Sequence, residues 1–175
     1  MTVISYSIFR YCSGLTSVKI PSTVTTISLS AFLGCTGLKS IEIPDSVTNI
    51  DVNAFFDCTS LEKIYIPKNV TNIGEYAFYN CKSLTAINVD ENNQNYASVD
   101  GVLFSKDLKE FVALPGAKTS YSIPKGVTSI AKTACSGNEN LKSIEIPNSV
   151  INIGQSSFTS CNSLTYIQIP GSVES

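Results

Sequence analysis

A chain of 175 residues, 43% of them hydrophobic and 15% charged, has the length and apolar content of a single domain with a substantial core. Lys+Arg of 12 against Asp+Glu of 14 leave a net charge of -2, which offers no basic field to nucleic acid or to an anionic lipid surface. Histidine is absent, and with it the usual general base, the usual zinc ligand and the usual partner of a catalytic Ser or Cys, so neither an enzyme nor a cofactor is expected. No apolar run approaches the ~20 residues that cross a bilayer, so no membrane insertion is expected in this segment. Residues 1–15 lack the basic start and small-residue cleavage site of a signal peptide, which places any export signal outside this chain.

The first full unit runs from Cys12 through Leu15, Val18, Ile20, Pro21, Val24, Ile27, Ala31 and Phe32. Cys35, Cys58 and Cys81 restart the same order of slots at a fixed spacing of 23 residues. Aligned on proline, the unit reads C-x-x-L-x-x-I-x-I-P-x-x-V-x-x-I-x-x-x-A-F-x-x, most clearly from Cys58 to Cys81. A fixed period in this range is the signature of a solenoid. I-x-I has the period of a strand, two side chains inward and one outward, and its β-branched residues suit a pleated surface. The proline that follows donates no hydrogen bond and presets a turn, so the strand ends there. V-x-x-I is expected to form a second short strand, and A-F-x-x-C a tight or single-turn helical corner.

The repeated slots are apolar and the variable ones polar, so stacking the units sets like upon like. Leu15, Leu38, Leu61, Leu84, Leu141 and Leu164 fall in one column, Val18, Ile41, Ile64, Ile87, Ile144 and Ile167 in a second, and Phe32, Phe55, Phe78 and Phe158 in a third. One unit has nothing against which to bury its inner face; neighbouring units bury each other's, so the repetition is the core. At the ~4.8 Å spacing of strands, roughly seven rungs make a slab about 35 Å long.

The period breaks once. "IEIPDSVTNI" at Ile41 returns as "IEIPNSVINI" at Ile144, 103 residues later, which is four periods and 11 residues more. Asp90 stands where proline is due, and regular spacing resumes at Pro124, so the irregularity spans about 90–123. Within it "DGVLF" and "EFVALP" are strand-like runs about the polar turn "SKDLK", which predicts an inserted β-hairpin. The stretch "DENNQN" resembles a calcium loop only superficially: counted from Asp90, Asn95 stands where glycine is required and Gly101 where glutamate is required.

The unit "CTSLEKIYIPKNVTNIGEYAFYN", together with "YASVDGVLFSKDLKEF" and "LPGAKTSYSIP" in the interruption, resembles the BspA-like leucine-rich repeat family over essentially the whole chain. The resemblance implies a β-rich solenoid, a right-handed leucine-rich repeat stack with short parallel strands, displayed at the cell surface or secreted and adhering to host matrix or to other cells. Cys135 in the phenylalanine slot, Asn138 in the cysteine slot and Asp90 for proline depart from the pattern, and the family supplies no catalytic motif.

The six cysteines contain no C-x-x-C pair. A disulfide column between rungs is weighed against buried free thiols; thiols are preferred, because equivalent side chains point the same way and Asn138 fills the same slot, as a small group serving the backbone at a corner would. "NVT" at Asn69 is a glycosylation sequon with meaning only in a eukaryotic secretory pathway. Met1 and Ser175 interrupt the pattern without polar caps, so the chain reads as a segment of a longer array with a tendency to end-to-end self-association.

The outward strand slots are free of packing duty and form the candidate ligand-binding ribbon: Lys19, Glu42, Tyr65, Asn88, Glu145 and Gln168, flanked by Lys39, Lys63, Lys142 and Tyr166. Mixed charge with tyrosine suits protein recognition, and variable surfaces on a fixed scaffold are what repeat proteins use for binding. The expected function is a non-enzymatic protein–protein interaction module binding a protein ligand such as host extracellular matrix or a cell-surface protein. A purely structural spacer is the first alternative. A carbohydrate-binding module is the second, with only Tyr65 and Tyr166 as aromatic platforms. Glu42 and Glu145 lie several rungs apart, too far for a glycosidase pair.

Overall fold

The computed structural model describes residues 2–174. Among the described residues there are sixteen strands and no helix: Thr2–Ile4 (β1), Ser17–Lys19 (β2), Val24–Ile27 (β3), Ser40–Glu42 (β4), Asn49–Ile50 (β5), Lys63–Ile66 (β6), Asn72–Ile73 (β7), Ala86–Val89 (β8), Tyr96–Val99 (β9), Val102–Ser105 (β10), Glu110–Ala113 (β11), Ser120–Ser122 (β12), Ser129–Ile130 (β13), Ser143–Glu145 (β14), Asn152–Ile153 (β15) and Tyr166–Ile167 (β16). The I-x-I segments form one wall, with β2 parallel to β4, β6 to β8, and β12, β14 and β16 in one ladder. The V-x-x-I segments form another, β1, β3, β5 and β7, continued by β13 and β15 after the interruption, whose last strand β11 pairs parallel with β13. Partners within these regular rungs are 23 residues apart, as in Val18 beside Ile41 and Ile64 beside Ile87. The expected solenoid of about seven turns with short parallel strands is the observed fold.

The corners are tight, as expected, and not helical: they are successive turns in which Ala31, Leu33 and Cys35 N donate to the carbonyls of Ser28, Ser30 and Phe32 at 3.1, 3.2 and 3.1 Å. Each holds two residues in the left-handed region four positions apart, at Ser30 and Gly34, Asn53 and Asp57, Tyr76 and Asn80, Thr133 and Gly137, with φ between 55° and 76°. Side chains other than glycine resist that conformation. It persists because it turns alternate amides toward the next rung: Ser30, Phe32 and Gly34 donate to the carbonyls of Val52, Ala54 and Phe56 at 3.0, 2.9 and 2.7 Å.

Inside, the columns are continuous. Phe9, Phe32, Phe55 and Phe78 stack with centroids 5.2, 5.5 and 6.1 Å apart; Leu114 and Cys135 then take the slot, so Phe158 does not continue the ring column. The cysteine column faces carbonyls, not other sulfurs. Cys35, Cys58, Cys81 and Cys161 donate through Sγ to the carbonyls of Phe9, Phe32, Phe55 and Cys135 at 3.1–3.2 Å, and Asn138 Nδ2 does the same for Leu114 at 3.0 Å. Each corner thus brings a carbonyl into the core, where it requires a small donor. Burial, and then the neighbouring Cys12, pushes the Cys35 thiol up to about 11; burial pushes Cys81 up to about 12.

The interruption contains the expected hairpin, β10 antiparallel to β11, but it is a three-stranded meander, because β9 pairs antiparallel with β10. Asp100 and Gly101, read from sequence as the start of a strand, form the two-residue turn between β9 and β10 with φ of 52° and 77°. Two successive left-handed residues match the twist of a hairpin. Asn93 occupies the valine slot, fully buried; its Nδ2 donates to Pro67 and Val70 carbonyls at 2.8 and 3.0 Å, and its Oδ1 accepts from Asn95 and Tyr96 N at 2.8 Å each. In β10 Leu103 packs with the core before the interruption, while Val102 and Phe104 pack with the core after it. Within the meander β10 is a partition buried on both faces. Regular pairing has already resumed at β12, where Tyr121 stands beside Ile144.

Candidate interaction surface

The period that buries Ile41 and Ile43 turns Glu42 outward, and the same alternation fixes its equivalents. Lys19, Lys39, Glu42, Lys63, Tyr65, Asn88, Lys142, Glu145, Tyr166 and Gln168 are all exposed. Lys19 stands beside Glu42 and Tyr65 beside Asn88 in strict register. Tyr65 and Tyr166 are 48% and 71% exposed, one in each of two separate strand ladders.

The charges on this face are unspent. Three ion pairs occur among the described residues, Lys68–Asp45, Lys82–Glu139 and Lys132–Glu75, and none involves a ribbon side chain. Tyr65 Oη donates to Asp90 Oδ2 at 2.9 Å, and that bond, which the carboxylate accepts only while the phenol keeps its proton, raises the Tyr65 pKa. Asp90 itself is held below the usual carboxylate range by the amide of Asn92 and then by Tyr65. In taking the proline position Asp90 therefore closes the turn through its side chain and fixes the Tyr65 ring. Ser122 Oγ donates to Glu145 Oε2 at 2.7 Å. Asp90 and Ser122 belong to the surface and were not expected from the strand pattern.

The ribbon is not one uninterrupted row. Where the rung after Asn88 is due, the β9–β10 turn intervenes: Ile87 N donates to Gly101 O at 2.8 Å, and a Cβ on Gly101 would lie 2.8 Å from that of Ala86. One half carries Lys19, Glu42, Tyr65 and Asn88. The other carries Glu145 and Gln168 and adjoins a shallow depression of about 470 Å³ bordered by Lys142, Glu145, Asn148, Tyr166 and Gln168.

Other candidates resolve against chemistry. The strands β6, β8 and β12 separate Glu42 from Glu145. Among the described residues no group of three or more His, Cys, Asp or Glu side chains could hold a metal ion. The Asn69 amide of the sequon donates to Asp45 O at 2.8 Å, bracing adjacent rungs. Among the described residues no helix is long and apolar enough to cross a membrane.

Solved structures share this architecture. The pneumococcal vaccine antigen PcpA aligns with a TM-score of 0.82 at 33% identity over 91% of this chain and 40% of its own. A leucine rich cell surface protein of Faecalibacterium prausnitzii gives 0.76 at 29% over 95% and 51%. A leucine-rich repeat protein of Eubacterium ventriosum gives 0.73 at 29% over 90% and 48%. The chain therefore spans between two fifths and about half the length of these relatives. No sequence among the curated proteins matches significantly. The BspA type leucine rich repeat region matches in 6 copies over residues 2–119 and 117–175, the units whose slots form the columns and ribbon described above. On that correspondence of sequence and architecture, the chain belongs to the BspA-type leucine-rich repeat family.

Proposed function

We propose that this chain is a non-enzymatic protein–protein interaction module of a cell-surface or secreted protein, binding a protein ligand of host matrix or of other cells through the ribbon. The observation that carries the reading is the register of exposed Lys19, Glu42, Tyr65 and Asn88 on a scaffold whose leucine, I-x-I isoleucine and valine slots are buried in the rungs from Leu38 to Ile87. Unpaired lysines beside exposed tyrosines favour a polar protein surface that presents carboxylates and apolar contacts together. Relatives named as a cell surface protein and a vaccine antigen support the surface location.

The test uses the chain immobilised and exposed to solubilised extracellular matrix, with bound protein measured before and after substitution. Combining Tyr65→Ser and Tyr166→Ser with Lys19→Glu, Lys39→Glu, Lys63→Glu and Lys142→Glu should abolish capture while Tm stays within a few degrees, since all six side chains are exposed. Capture that survives the sixfold variant favours the structural spacer. End-to-end contact between copies is part of the same proposal: Val3, Tyr6, Ile8 and Tyr11 are exposed on the first rung. Sedimentation velocity should show mass rising with concentration, and a constant monomer mass would remove this element.

A further inference from the structure

The rung carrying β11 is short. Phe111 stands beside Ile130, which is 19 residues on where a full unit takes 23. The chain cuts across the corner at Ala113, Leu114, Pro115 and Gly116: Leu114 N donates to Ala134 O at 2.8 Å, and a Cβ on Gly116 would lie 2.4 Å from Cys81 O. The corners of the flanking rungs project beyond it and clasp each other. Tyr76 N donates to Thr133 Oγ1 at 3.2 Å, Lys132 pairs with Glu75 at 3.5 Å, and a Cβ on Gly137 would lie 2.6 Å from Asn80 N.

Between the clasps lies a cavity of about 210 Å³, floored by Val112, Ala113 and Leu114 and lined by Tyr76, Tyr96 and Glu110. Its charges are unbalanced. Lys132 is held by Glu75, and none of the ion pairs among the described residues reaches Glu110. Burial, and then the like charge of Asp107, push the Glu110 carboxyl up. Lys132 also lines the cavity but is engaged by Glu75, so a partly desolvated Glu110 carboxylate with a like-charged neighbour and no ion-pair partner gains from an incoming cation. Tyrosine rings and an apolar floor suit a flat cation on a methylene stem.

We propose that this cleft binds one arginine side chain of a protein partner, its methylenes over Val112, Ala113 and Leu114 and its guanidinium between Glu110 and the rings of Tyr76 and Tyr96. No ribbon residue lines the cleft, so the site stands apart from the ribbon and does not rest on its ligand.

The test titrates acetyl-Gly-Arg-Gly-amide into the 15N-labelled full chain, with the citrulline tripeptide as a neutral isostere. Saturable shifts should appear at the amides of Tyr76, Val112 and Thr133 with a millimolar Kd. The citrulline probe and the Glu110→Gln variant should each bind about tenfold more weakly. The sixfold ribbon variant should bind the arginine probe as the parent chain does, which separates failure here from failure of the ribbon. Glutamine is isosteric with Glu110, whose carboxyl is partly desolvated although the residue as a whole remains exposed, and a Tm matching the parent chain checks that the variant folds. Absence of saturation, equal binding by citrulline, or shifts unchanged in Glu110→Gln would overturn the proposal.

Discussion

Truncating Phe55 to alanine probes the stack where it is most constrained. The ring is 0% exposed and lies between Phe32 at 5.5 Å and Phe78 at 6.1 Å, nearly parallel to both. Removing a buried phenylalanine costs ~3–5 kcal/mol, and the value within that range depends on how far the surroundings collapse. Collapse is limited here. Phe32 N donates to Ala54 O and Phe55 N to Ala77 O, both at 2.9 Å, so the backbone ladder holds the flanking rings in place. The cost should therefore lie near the top of the range, about 5 kcal/mol. For a chain of this length that corresponds to a fall in Tm of ~10–20 °C, at about 2–4 °C per kcal/mol. Urea unfolding followed by far-ultraviolet circular dichroism gives the free energy, and an unchanged m-value checks that the unfolding unit is the same. Glu42→Ala serves as reference and should change stability by less than about 0.5 kcal/mol. Comparable losses in the two variants would refute the assignment of inside and outside.

Asn93→Val restores the valine of the repeat, yet it should destabilise by more than about 2 kcal/mol in the same urea assay, since it strips Asn95 N and Tyr96 N of their acceptor; a more stable variant would show that the interruption does not depend on Asn93. Gly137→Ala and Gly34→Ala both place a side chain at left-handed φ, a strain of roughly 1–2 kcal/mol. Gly137→Ala should cost clearly more by thermal melt, because its Cβ meets the Asn80 backbone whereas that on Gly34 meets only the movable Tyr11 ring. Alkaline pH should unfold the protein. Native Cys81 keeps its proton up to about 12 while the unfolded thiol releases it from 9.0, so its contribution is complete below pH 9 and lost as pH rises toward 12. That amounts to about 1.4 kcal/mol per pH unit for each such thiol. Tm should be flat from about pH 7 to 8 and fall above about 9, less steeply in Cys81→Ala; identical slopes would place the effect elsewhere.

The regular rungs are legible in the sequence because each inward slot does one job against its own copy, so Leu38, Leu61 and Leu84 cannot vary freely and the period shows. The outward positions follow by subtraction, and the exposure of Glu42 and Tyr65 needed no further knowledge. The corners were illegible for the opposite reason. Ser30, Asn53, Tyr76 and Thr133 share one left-handed conformation but no common chemistry, so no residue type marks it. The "DG" at Asp100 reads in the sequence as the start of a strand although that pair favours a hairpin turn, and its place beside β8, which divides the ribbon, depends on how the meander packs and not on local pattern. Asn93 and Tyr96 hold the valine and isoleucine slots with polar atoms that bond back to the previous rung, so hydrophobic periodicity alone misses them. The cleft at β11 follows from a shortened rung, visible only once β11 is seen beside β13.

The most direct measurement is a set of nuclear Overhauser contacts between side chains of adjacent rungs in the methyl-labelled chain in solution. Stacked columns require cross-peaks from Val18 to Ile41, from Ile64 to Ile87 and from Ile144 to Ile167, with Tyr121 rather than Ile87 as the near neighbour of Ile144. Missing cross-peaks between these pairs, or a direct contact between Ile87 and Ile144, would contradict the stack and with it the surface it displays.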